Sequence, residues 1–152
     1  MNPTTKLLGM SLAVGLVLAA RPATGGDPKG DDAKSDLAGL TGTWVRVLDG
    51  KTYIVTFNGE KFATIFEFPE GITTTSGTIT IDPTKSPKHM DWKFAEGTGR
   101  GEKLKGKTAQ TIYALDGDTF KFLATRQEGR PEMFPDKEGV GDYIYLVFKR
   151  VK

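Results

Sequence analysis

Cysteine is absent from the 152 residues, and histidine occurs once. The first absence excludes disulfides, thiolate metal sites, a cysteine nucleophile and a lipid-modified N-terminal cysteine. The second excludes a histidine-rich metal site and a two-histidine mechanism. A long apolar run is missing too. The uncharged stretch Leu7–Ala20 has 14 residues, short of the roughly 20 that a spanning helix needs. After residue 40 no segment keeps a helical apolar period through three turns.

A basic stripe, the usual mark of a nucleic-acid partner, is also lacking. The whole chain carries a formal charge of +2. Lys6 and Arg21 account for all of it, because without them 19 basic residues face 19 acidic ones. Those two residues lie in a segment with its own pattern. Lys6 provides a positive start, Leu7–Ala20 an apolar centre, and Ala23-Thr24-Gly25 small residues. That is the pattern of a secretory signal peptide, here residues 1–25, cut after Ala20 or Gly25. An uncleaved N-terminal anchor is the alternative. Cleavage implies a secreted or periplasmic product with no stable membrane insertion. Residues 26–39 are polar and rich in Gly and Asp, and read as a disordered linker. The folded domain is then 40–152.

What the chain has in quantity is glycine (19) and aromatic residues (9 Phe, 4 Tyr, 2 Trp). Short β-rich runs recur along the domain, separated by turn signals. They cover 43–48, 52–57, 61–68, 73–81, 89–94, 108–115, 119–125 and 143–150. Asn58-Gly59 is a strong hairpin signal because both residues tolerate positive φ. Gly77 inside the fourth run suggests a bulge or a close backbone approach. Alternation puts Phe62, Phe66 and Phe68 on one face, as it does Met90, Trp92 and Phe94. Phe120 and Phe122 share a face, as do Ile144, Leu146, Phe148 and Arg150. Eight sequential strands, each with one apolar face, favour an all-β fold, an antiparallel up-and-down barrel that closes its own edges. Two packed four-stranded sheets are the alternative.

Leu40-x-Gly42-x-Trp44 opens the first run, and Phe148-Lys149-Arg150 closes the last. A Gly-x-Trp start resembles that of lipocalins and the wider calycin group. Between them lie Phe57-x-Gly59-x-Lys61-Phe62, the stretch Ile81–Asp91, Ile112-Tyr113-x-Leu115-Asp116-Gly117-Asp118 and Arg130-Pro131. Together these are similar to a bacterial family of secreted lipocalin-like domains with no assigned biochemical function. The resemblance implies a barrel whose end is closed by Gly42, Trp44 and Arg150, with the guanidinium across the indole. It implies no catalytic residues and no cofactor.

Candidate chemistry is sparse. His89 lies near Asp82 and Asp91, but no nucleophile pairs with it, and alternation turns it away from the core. Glu67, Glu70, Glu96 and Glu102 read as solvated charge rather than a paired-carboxylate site. Gly101–Thr108 matches the letters of a phosphate-binding loop. The strand expected after it, in place of a helix, removes the mechanism. Thr73–Gly77 reads as an exposed Thr-rich strand, with a hydrogen-bonding wall or an O-linked acceptor as the alternatives. No catalytic or metal site is therefore expected. The inward aromatics either fill the barrel or line an apolar cup. The cup is the expected function, a site for a small apolar ligand with Phe66, Trp92, Tyr113 and Phe122 in its wall. The second expectation is a filled barrel that meets a protein partner through loop 126–141, with Arg130, Met133 and Phe134 at the contact.

Overall fold

The turn signals reverse the chain where they stand. Asp49 (φ 51°), Gly50 (75°), Gly59 (61°) and Gly117 (57°) all take left-handed backbone between adjacent strands. In the computed structural model, which describes residues 28–152, the strands are β1 (Gly42–Leu48), β2 (Lys51–Asn58), β3 (Lys61–Phe68), β4 (Gly71–Asp82) and β5 (Lys88–Thr98). A 3-10 helix, Gly99–Leu104, leads to β6 (Thr108–Asp116), β7 (Thr119–Thr125), the two-residue β8 (Gly139–Val140) and β9 (Tyr143–Arg150). Sequential neighbours pair antiparallel from β1 to β7, and β7 pairs with β9. Trp44 opposite Arg150 and Val45 opposite Lys149 join β9 back to β1. The result is a closed eight-stranded barrel, not a sandwich, with β8 as a short addition on the edge of β9 that also meets β1. The proposed signal peptide lies outside the described residues.

The closure is partial. β1 and β9 share two residue pairs, and Glu138, just before β8, fills the gap beyond them. Its carboxylate accepts the Val147 N–H of β9 at 2.6 Å and the Arg46 guanidinium of β1. The loop 126–141 thus belongs partly to the barrel wall. Phe134 packs on Tyr145 at 5.4 Å, over a second apolar cluster with Ile112 and Leu123 on the outer face.

β5 runs four residues beyond the strand expected at 89–94. The ladder passes from Gly77 opposite Phe94 to Ser76 opposite Glu96, which leaves Ala95 unpaired as a bulge. The bulge breaks the alternation that the eye follows. Gly77 faces it, and a Cβ there would overlap the Lys93 carbonyl.

The expected linker is corrected. Pro28–Leu40 is a helix, α1. Proline suits its first position, where its missing N–H costs nothing. Ala33, Leu37 and Leu40 follow at spacings of four and three, and all pack against the barrel core. α1 closes the end at which β1 begins and β9 finishes. The opposite end carries the β3–β4 turn, the 3-10 helix and the start of loop 126–141.

Candidate functional site

The core is a continuous set of rings that thins toward the end away from α1. Phe120, Phe122 and Phe148 stack at centroid separations of 5.8–6.2 Å. Trp92 meets Phe62 at 4.7 Å and Phe122 at 5.4 Å. Beyond this layer a cavity of about 290 Å3 opens toward the end opposite α1. Phe66, Phe68, Trp92, Phe94 and Phe122 supply its apolar wall. Its uncharged polar wall is threonine, and the buried ones are internally satisfied. Thr64 and Thr75 share a hydrogen bond of 2.7 Å, and Thr111 donates to the Met90 carbonyl at 2.7 Å. The Trp92 indole N–H reaches the Thr111 hydroxyl at 3.1 Å. Thr73 accepts the Arg100 N–H at 3.3 Å.

The 3-10 helix forms part of the rim. Gly101 lies so close to β4 that a Cβ would overlap the Thr74 carbonyl. That approach brings Arg100 and Leu104 to the cavity. Arg100 lies 4.7 Å over the Phe68 ring and pairs with Glu70. β6 follows this helix directly, so the phosphate-loop letters have no helix behind them.

Three of the four expected ligand-wall residues, Phe66, Trp92 and Phe122, line this cavity. Tyr113 does not, and its assignment is corrected. Its side chain faces inward but at the α1 end, where its hydroxyl donates to Asp36 at 2.6 Å. Lys88 holds the same Asp36 oxygen at 2.8 Å. Burial first, and the Asp36 bond second, push the Tyr113 phenol well above its ordinary range. A second correction concerns Thr73 and Thr75, which are buried in the cavity wall rather than exposed.

No family profile, curated protein or solved structure matches this chain.

Gly42, Trp44 and Arg150 meet at the α1 end of the barrel. The Arg150 guanidinium lies 4.2 Å over the Trp44 ring, a contact of about 0.5–2 kcal/mol. The same group donates to the Thr41 carbonyl at 2.8 Å, to the Gly39 carbonyl, and to Asp118 at 3.1 Å. It therefore caps the C-terminus of α1, where cations are favoured. Trp44 donates its indole N–H to the Leu40 carbonyl at 2.7 Å. Gly42 takes φ +134°, and a Cβ there would lie 2.8 Å from the guanidinium.

The remaining candidates are structural in their contacts. Asp82 accepts from Thr84 N–H at 3.1 Å, an Asx turn. His89 faces outward, and burial, followed by Arg130 and Lys85, holds its imidazole below its ordinary range. Arg130 reaches the Thr111 carbonyl at 2.7 Å and Asp91 at 2.6 Å. With Phe134 it faces the barrel wall, while Met133 is 75% exposed. Among the described residues no group of three His, Asp or Glu converges as a metal site. Sequence reasoning missed Thr64, Arg100 and Arg126 in the cavity lining. The two arginines sit in irregular segments where no periodicity marks a face.

Proposed function

We propose that this chain is a secreted, non-catalytic, lipocalin-like domain that binds a small apolar ligand in the open end of its barrel. The observation that carries this reading is the 290 Å3 cavity walled by five aromatic residues. Its volume stands at the lower edge of small-molecule sites, which run from about 300 to 1,000 Å3. Each 100 Å2 of apolar ligand surface covered there contributes about 2.5 kcal/mol. The threonines of the wall satisfy one another or nearby backbone, so they add orientation without demanding a polar occupant. The hollow favours this reading over a filled barrel working through its loops. The Gly42-x-Trp44 start with Arg150 across the indole supports the lipocalin-like assignment, and the Lys6–Gly25 pattern supports export.

A titration tests it. The full chain, made in a secreting host, is titrated with the neutral apolar fluorophore N-phenyl-1-naphthylamine. Saturable enhancement, lost in Phe122→Trp while the fold is retained, is the expected result. No enhancement at any concentration, or unchanged binding in Phe122→Trp, would contradict it. The intact mass of the exported protein tests the leader, with cleavage after Ala20 or Gly25 expected.

A further inference from the structure

The cavity lining is asymmetric in charge. Arg100 and Arg126 are its charged members, and no carboxylate or lysine lines it. Both sit at the open rim, Arg100 on the 3-10 helix and Arg126 just past β7. Arg100 is oriented, because its guanidinium stacks over Phe68 and Glu70 holds its Nε. Arg126 is exposed, and its side chain has no ion-pair or hydrogen-bond partner among the described residues. Below this rim the walls are rings and satisfied threonines.

We propose that the occupant is a compact amphiphile with one anionic head group, its apolar body among Phe66, Trp92 and Phe122 and its head at Arg126. This rests on the ligand-binding reading above and narrows its chemical class. A guanidinium presents a planar fork of donors that matches a carboxylate. A cationic occupant meets the uncompensated charge of Arg126, since Arg100 is already paired with Glu70 and no carboxylate lies in the lining itself. A neutral one buries its apolar body equally well but leaves Arg126 unused. A second anionic group has no charged partner deeper in, where the threonine hydroxyls already bond one another, backbone or the Trp92 indole.

Isothermal titration calorimetry of the full chain with decanoate and with 1-decanol tests this, alongside Arg126→Gln. Decanoate is expected to bind at least about fivefold more tightly than decanol at low salt, the scale of a partly exposed charge pair. Arg126→Gln should remove that preference, with decanoate losing several-fold more affinity than decanol. Raising salt from about 20 to about 500 mM should narrow it as well, because screening acts on exposed charges. Equal affinities for the two probes, or an equal loss of both in Arg126→Gln, would overturn the anionic-head assignment alone. Failure of both probes together with failure of N-phenyl-1-naphthylamine would overturn the ligand-binding reading beneath it.

Discussion

At the α1 end of the barrel Trp44 is fully buried, its N–H is held by Leu40, and Arg150 lies across its ring. At the other end Phe66, Trp92 and Phe122 border a space of 290 Å3. The same strands run through both regions. The difference is in what plugs them. One end has a helix whose Leu37 and Leu40 complete the core and whose Asp36 serves Tyr113 and Lys88. The other has a short 3-10 turn that reaches the rim without filling it. The barrel is thus plugged at one end and hollow at the other.

Trp44→Ala damages the α1 end most severely. It leaves a large void and orphans the Leu40 carbonyl, and should cost about 3–5 kcal/mol in urea denaturation. A loss below about 1 kcal/mol would mean that the α1 end is not the stabilising one. Arg150→Met comes next. It removes the stack and the carbonyl caps of α1, with an expected loss of about 1–3 kcal/mol. Near-UV circular dichroism of Trp44 should change with it.

Alkaline pH sharpens the contrast through Tyr113. The fold raises this phenol's pKa, so its contribution is complete below the unfolded value near pH 10. Above that pH the unfolded chain releases the proton first, and stability falls by up to about 1.4 kcal/mol per pH unit. Urea midpoints at pH 9 to 11 should decline less steeply in Tyr113→Phe than in the parent. Equal slopes would show that Tyr113 does not feel its buried site.

Phe122→Trp probes the open end. The extra ring has a cavity to enter, so the stability change should stay within about 1 kcal/mol. A filled core would lose about 1–3 kcal/mol by overpacking. The smallest effect is expected from Met133→Ser in the loop, within about 0.5 kcal/mol in the same denaturation assay, since this side chain is 75% exposed.

Legibility in the sequence followed the same division. Strand runs and their inward faces were readable because a barrel wall repeats every two residues, from Phe62 to Phe148. The Trp44–Arg150 contact was readable from a short motif and a matching face. α1 was not, because its inner side is only Ala33, Leu37 and Leu40 within a polar stretch. Tyr113 shows the limit of alternation, which fixes the face of a strand but not the height along the barrel. Height depends on the stagger between strands and on which end carries the plug. The cavity was beyond reach for the same reason, since Arg100 and Arg126 come to its rim from non-repeating segments.

Native mass spectrometry of the full chain, exported from a secreting host and never unfolded, reads directly whether the hollow end carries an occupant. A reproducible extra mass, lost on denaturation and absent from Phe122→Trp, is the expected result. A clean mass for the polypeptide alone, with no binding of N-phenyl-1-naphthylamine to the same sample, would contradict it.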